Sequence, residues 1–201
     1  MREFWNERYG QEEYAYGTEP NAYFRQQISK LKLQGSILLP AEGEGRNAVY
    51  AAKRGLEVTA FDLSEEAKNK ALRLASANDV NITYHTDEFN KLSLTENSFD
   101  AIGLIYAHFP ANLRADYHKQ FVNLLAPGGV IILEAFSKEQ LKYESGGPKD
   151  PDMLFSKEEI KSEFDGLEVI DLSGYDIRLN EGPYHQGMAS VVRFVGRKPM
   201  K

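Results

Sequence analysis

The sequence predicts an α/β fold, on three observations. Strand-like and helix-like segments alternate along the chain. A short apolar run, Ser36-Ile37-Leu38-Leu39-Pro40, has the composition of a strand buried on both faces. A glycine turn, Gly43-Glu44-Gly45, follows that strand and opens a helix.

The elements follow in order. The segment from Trp5 to Gly17 is rich in aromatics, with Trp5, Tyr9, Tyr14 and Tyr16. Phe24, Ile28 and Leu31 share one helical face and predict a helix over Pro20 to Leu33, stopped by Gly35. After the strand at 36–40, a helix runs from Arg46 to Arg54 and closes on Gly55. Glu57 to Asp62 is the second strand. Ser64 caps the next helix, with Glu65 and Glu66 in its first turn, where the helix dipole favours negative charge. Ala67, Ala71, Leu74 and Ala75 form its buried stripe. Strands are predicted at Asn81–Thr86, Phe99–Tyr106 and Val130–Ala135, with a helix over Asn112–Leu125 on which His118 faces solvent. Ser137 to Leu154, with Gly146-Gly147-Pro148 and Asp150-Pro151, is the expected mobile loop over a site. Ser156-Lys157-Glu158-Glu159 is a capping box, flanked by a Phe155–Ile160 staple. Two last strands, Leu167–Leu172 and Met188–Gly196, form a hairpin whose loop carries Arg178, Glu181, Tyr184 and His185.

Composition narrows the function classes. The 201 residues are 42% hydrophobic and 27% charged, the mix of an ordinary globular chain. The expectation is one domain over 1–201, with an aromatic segment and helix at 1–35 preceding a core at 36–201. There is no cysteine, which excludes disulfides, zinc–thiolate sites and thiol catalysis. Lys and Arg number 24 against 30 Asp and Glu, a net charge of −6. No basic run is present to displace counterions from phosphate, so no nucleic-acid partner is expected. No apolar stretch approaches the roughly 18 residues of a membrane span, and no membrane partner is expected. The N-terminus, Met1-Arg2-Glu3-Phe4-Trp5-Asn6-Glu7, lacks an apolar signal region, so the expected location is cytoplasmic. No ligand-spaced cluster suggests a metal.

The chemistry is concentrated in the first two strands. Gly43 and Gly45 let backbone approach a ligand where a Cβ would collide, and the following helix turns its N–H groups toward it. Asp62 ends the second strand 19 positions after Gly43, where a carboxylate can accept both hydroxyls of an adenosine ribose. Asp87, closing the third strand, can meet an adenine edge. Together these predict a nucleoside site. Gly43-x-Gly45-x-x-Ala48 also satisfies the dinucleotide fingerprint, so an NAD(P)-dependent oxidoreductase is the rival. Against it stand the short chain, the absence of a Tyr-x-x-x-Lys pair and the terminal hairpin. A non-catalytic nucleoside-binding module on the same fold is the third alternative.

The ordered set of motifs resembles the class I S-adenosylmethionine-dependent methyltransferases, in their small tellurite-resistance-like and thiopurine-methyltransferase-like branch. The matching residues are Trp5-Asn6-Glu7-Arg8-Tyr9, Tyr16-Gly17-Thr18-Glu19-Pro20-Asn21, Glu42 to Ala48, Phe61-Asp62-Leu63-Ser64, Asp87, Ser98-Phe99-Asp100 and Leu125-Ala126-Pro127-Gly128-Gly129. The resemblance implies a Rossmann-like three-layer sandwich, with a seven-stranded, mostly parallel sheet in the order 3-2-1-4-5-7-6 and strand 7 antiparallel. It implies one-carbon transfer (EC 2.1.1) from S-adenosyl-L-methionine. It places Gly43 and Gly45 beside the methionine part of the cofactor, Asp62 on the ribose, and Asp87 with Glu88 or Phe89 around the adenine. Arg46, Leu63 and Tyr106 complete the implied cofactor set, and residues 1–35 become its lid. Tyr9 and Tyr16 either cover the cofactor, where an aromatic face attracts the sulfonium, or pack the first segment onto the sheet.

One departure from the family pattern matters. The family motif reads Asp-x-Gly-Cys-Gly-x-Gly, and its opening acid is Leu39 here. Glu42 either supplies the missing carboxylate to the cofactor's ammonium or caps the helix dipole. On the acceptor side, His108 follows the fourth strand and is the candidate general base. Arg114, Tyr184 and His185 are candidate acceptor-binding residues. The expected partner is a small-molecule acceptor, and the expected state a monomer or homodimer.

Overall fold

The computed structural model describes residues 1–200. Seven strands form one sheet in the order β3-β2-β1-β4-β5-β7-β6. They are β1 (Ser36–Pro40), β2 (Glu57–Asp62), β3 (Thr83–Thr86), β4 (Phe99–Ile105), β5 (Leu125–Phe136), β6 (Glu168–Glu181) and β7 (His185–Arg197). The first five run parallel, and β7 runs antiparallel between β5 and β6. Strand β6 therefore points the same way as β5, and its last residue lies on the carboxyl edge with the ends of β1, β2 and β4. The helices are α1 (Arg2–Tyr9), α2 (Ala22–Lys30), α3 (Arg46–Lys53), α4 (Glu65–Ala77), α5 (Ala111–Leu124) and α6 (Lys157–Glu163).

Alternation along β1 separates two cores. Ile37 and Leu39 pack with Phe24 and Ile28 of α2, Ala48 of α3 and Ala71 of α4. Leu38 packs on the other face with Phe121 and Leu124 of α5 and Ile160 of α6. Helices thus cover both faces, which makes the Rossmann-like three-layer sandwich. A strand buried on both sides must be apolar throughout, as this one is.

Side-chain caps fix three of the helix starts. Asn21 caps α2 by accepting from the Phe24 N–H, Ser64 caps α4 from the Ala67 N–H, and Ser156 with Glu159 closes the capping box of α6. Each such cap is worth about 1 kcal/mol.

Four expectations need correction. The terminal hairpin is far longer than predicted: β6 continues to Glu181 and β7 begins at His185, so Arg178 and Glu181 are strand residues. β6 is an edge strand with most side chains in solvent, so it carries little hydrophobic alternation to read. β4 stops one residue early because Tyr106 takes φ +53°, outside the strand region. His118 faces inward: it is fully buried and meets Glu163 at 2.6 Å. The 137–154 stretch is tied down on β7, where buried Gln140 accepts from the Ser190 N–H and Ser145 donates to the Met188 carbonyl.

Candidate active site

The turn after β1 is built from the backbone outward. Ala41, Gly43 and Gly45 have φ of +50°, +63° and +88°. The Gly43 N–H donates to Asp62 Oδ2 at 3.0 Å, and its carbonyl accepts from the Tyr84 hydroxyl at 2.5 Å. The Ser64 N–H donates to Asp62 Oδ1 at 3.0 Å. A carboxylate has about four acceptor positions. The Leu63 N–H also bonds the carboxylate, which leaves about one acceptor position at the end of β2. Burial raises its pKa to about 6, against the pull of those backbone bonds.

The two glycines serve different needs. A Cβ at Gly43 would stand 2.9 Å from the Tyr9 hydroxyl, so this glycine lets Tyr9 close on the turn. A Cβ at Gly45 would stand 2.8 Å from the Cα of Ala71, so this glycine lets α4 approach α3. The structure thus gives Gly45 a packing reason where the sequence suggested ligand approach.

Glu42 resolves toward the helix. Its Oε1 accepts from the Asn47 and Ala48 N–H groups at 2.9 and 2.7 Å, in the first turn of α3. Burial lifts its pKa to about 7.

The N-terminal segment closes over this turn. Trp5 and Tyr9 stack at 5.3 Å between ring centroids, and Tyr9 meets Tyr16 edge-on. The segment is held by an ion pair that no local motif announced. Lys70 Nζ meets Glu44 Oε1 at 2.7 Å with both side chains buried, and also donates to the Glu13 carbonyl. Glu44 Oε2 accepts from the Ala15 N–H at 2.8 Å.

A second buried polar group lies beyond Arg46. Its guanidinium donates to the Tyr16 carbonyl and to Glu181 Oε2, the latter at 3.0 Å. Asn21 Nδ2 bridges Glu134 Oε1 at 2.6 Å and Glu181 Oε1 at 3.2 Å. Glu134 also accepts from the Tyr106 hydroxyl at 3.1 Å and from Arg193 Nε at 2.6 Å. His185 Nδ1 stands 3.2 Å from Glu181 Oε2. Burial alone would raise the Glu181 carboxyl, but His185 and Arg46 more than offset it and hold the pKa at about 2. Sequence reasoning missed Asn21, Glu44, Lys70 and Glu134. The cap signal at Asn21 was available, but its carboxylate partners are 113 and 160 positions away.

The other predicted residues fall as follows. Leu63 is half-buried beside Asp62, and Tyr106 joins the buried polar group. Asp87 and Glu88 are at the surface, each paired with Lys91, while Phe89 is turned into the core against Phe61 and Phe121. Tyr184 is exposed, with the Arg8 guanidinium over its ring.

Two acceptor-side expectations change. His108 has both nitrogens engaged: Nδ1 donates to the Met153 carbonyl at 2.8 Å, and Nε2 accepts from the Phe136 N–H at 3.3 Å. Burial lowers its pKa to about 4. It is a clip between two loops, with no lone pair left for a base. Arg114 is also a clamp. It binds Glu163 at 2.7 Å, donates to the Asp152 and Leu154 carbonyls and stacks over Phe155.

A turn of this form, with an acid at the end of β2 on the carboxyl edge of a 3-2-1-4-5-7-6 sheet, invites comparison with known proteins. Residues 37–129 match the methyltransferase domain family. The matched region spans β1 through the start of β5 and contains both the glycine turn and Asp62. An uncharacterized methyltransferase of Schizosaccharomyces pombe is 27% identical over 110 residues, covering 53% of this chain and 75% of that protein. Two solved structures share this fold. One comes from work on the conversion of a disulfide bond into a thioacetal group during echinomycin biosynthesis. It is 18% identical with a TM-score of 0.78, over 100% of this chain and 93% of that one. TehB from Haemophilus influenzae is 16% identical with a TM-score of 0.73, over 98% of this chain and 66% of that one. The sheet order is that of a Rossmann-like methyltransferase fold.

Proposed function

We propose that this chain is an S-adenosylmethionine-dependent methyltransferase acting on a small-molecule acceptor, in the tellurite-resistance-like branch. The observation that carries the reading is the Gly43–Asp62 pair within the matched region. A glycine turn is fastened to a carboxylate with acceptor capacity left at the carboxyl edge. That capacity suits a ribose hydroxyl. The donor supplies an electrophilic methyl group on a sulfonium sulfur.

The chain's own residues do the rest. Asp62 orients the nucleoside. Asp87 and Glu88 border the adenine end, and Leu63 packs beside it. Arg46 anchors the donor side to the acceptor side through Glu181. Tyr9 and Tyr16 form a lid that excludes water, and their faces attract the sulfonium. The whole of 1–201 acts as one domain, as a monomer or homodimer, with no nucleic-acid partner. Among the described residues no helix is long and apolar enough to cross a membrane, and no cluster of three or more His, Cys, Asp or Glu could hold a metal.

Calorimetric titration with S-adenosylhomocysteine and, separately, with NAD⁺ tests the assignment. Saturable binding of the first is expected. Binding of the dinucleotide alone would transfer the chain to the oxidoreductases, and binding of neither would make it a non-catalytic module.

A further inference from the structure

The two edges of the sheet differ sharply. At one edge β3 has four residues, Thr83–Thr86, too few to template a further strand. At the other, β6 runs for 14 residues, Glu168–Glu181. Strand β7 is its ladder partner, and among the described residues no loop or terminus makes a backbone hydrogen bond to it. Along its outer side every second residue therefore turns an N–H and a C=O outward with no protein partner. A bulge between Val169 and Asp171 blunts only the start of the strand, and the ladder from Asp171 to Glu181 is regular.

The side chains of the regular part sort by face. Successive residues of a strand alternate, so Tyr175 and Ile177 lie on one face and Asp176 and Arg178 on the other. Tyr175 is exposed, and its ring is held from β7 by the Arg193 guanidinium at 5.2 Å. Asp176 and Arg178 are both exposed. Asp176 accepts from the Tyr143 hydroxyl at 3.2 Å, and among the described residues neither charge has an ion-pair partner.

We propose that β6 pairs antiparallel with β6 of a second copy of this chain, about a two-fold axis at Ile177, joining two seven-stranded sheets into one. The register follows from ladder geometry and charge. An antiparallel ladder alternates hydrogen-bonded and non-hydrogen-bonded pairs, so a two-fold axis must pass where a residue faces its own copy. An axis at Asp176 or Arg178 sets like charges face to face. An axis at Tyr175 sets Arg178 opposite Leu172 and Asp176 opposite Gly174, which pairs neither charge. The axis at Ile177 satisfies both faces. Ile177 meets Ile177 of the copy, flanked on each side by Tyr175 opposite Leu179. On the other face each Asp176 stands opposite Arg178 of the copy, twice by symmetry. The free charges and the exposed apolar residues of this edge thus complement a second copy of themselves.

Of the two expected states, monomer and homodimer, this pairing selects the homodimer. Strands β1, β4, β5 and β7 separate β6 from β2 and Asp62. Nothing in the pairing depends on a methyl donor, so a failure here leaves the methyltransferase assignment untouched, and the reverse.

Sedimentation equilibrium of the full chain tests it, with wild type, Asp176→Arg, Arg178→Asp, the double variant carrying both changes, and an equimolar mixture of the two single variants. The wild type is expected to dimerise with concentration. Each single variant sets two like-charge pairs across the axis, and its dimer should be weaker by about 10-fold or more. The double variant exchanges the charges and should dimerise like the wild type. The mixture should form a heterodimer, because one copy then carries two acids and the other two bases. Amide hydrogen exchange of the wild type gives a second reading that needs no variant: protection over residues 174–180 should rise with protein concentration. A wild type monomeric at every concentration, single variants that dimerise as the wild type does, a double variant that stays monomeric, singles that do not associate when mixed, or exchange over 174–180 independent of concentration would each overturn the proposal.

Discussion

The two sides of the carboxyl edge are built in opposite ways. On the proposed donor side, the key contact joins Gly43 to Asp62 across 19 positions, through one helix and the next strand. On the acceptor side, Arg46 reaches Glu181 across 135 positions and Asn21 reaches it across 160. The donor side is local supersecondary structure, and its polar groups are mainly backbone N–H groups meeting carboxylates. The proposed acceptor side is a meeting of side chains from the N-terminal segment, α3, the turn after β4, β5 and the terminal hairpin. A short-range site is constrained by the fold itself. A long-range site can be rebuilt residue by residue while the fold stays the same, which suits it to the acceptor side of the proposed transfer.

Three experiments sharpen that contrast. The largest effect is expected at the clamp between the lid and the donor turn. Lys70→Met leaves Glu44 buried without its partner and should cost about 3–5 kcal/mol in urea unfolding. Adding Glu44→Gln should recover most of the loss, because the unpaired charge is then gone. A cost below about 1 kcal/mol for the single change would show that the clamp contributes little.

Next comes Asp62→Ala. One charge-assisted hydrogen bond at roughly 1.5–3 kcal/mol implies about 10- to 100-fold weaker binding of S-adenosylhomocysteine by calorimetry. Unchanged affinity would remove the ribose role.

The smallest effects concern pH, and the two sides should have opposite signs. The folded pKa values of Asp62 and Glu42 are raised, to about 6 and about 7. Their contribution is present below the unfolded carboxylate values near 4 and is lost as pH rises through 6 and 7. The folded pKa of His108 is lowered, to about 4. Its contribution is present above about 6.5 and is lost as pH falls toward 4. Urea midpoints between pH 4 and 8 should show Asp62→Asn removing a loss of about 2–3 kcal/mol on the alkaline side, at 1.36 kcal/mol per unit. His108→Gln should remove a loss of similar size on the acid side. Matching slopes in the two variants would erase the distinction.

The same contrast governs what could be read in advance. β1, β2, the caps at Ser64 and Ser156 and the Gly43–Asp62 spacing were legible because each is a local pattern with a local cause. The outer half of β6 was not, because an exposed edge strand has no buried face to impose alternation. His118 and Arg114 looked like surface or acceptor residues because Glu163, which pairs with both, lies on another helix. His108 and His185 looked equivalent as histidines near loops. Only their partners separate an imidazole clipped between two loops from one paired with a carboxylate.

From the sequence by itself came the α/β alternation, the doubly buried first strand and the glycine turn with its acid, since period, composition and short spacing are properties of neighbouring residues. The tertiary structure alone decided that Gly45 serves helix packing and that Glu42 caps α3. It also brought Lys70 to Glu44 and set Glu181 beside His185. Those outcomes depend on which distant chain segments share a desolvated space. In such a space an unpaired polar group costs more than a hydrogen bond returns, so each group's role is settled by its neighbours there.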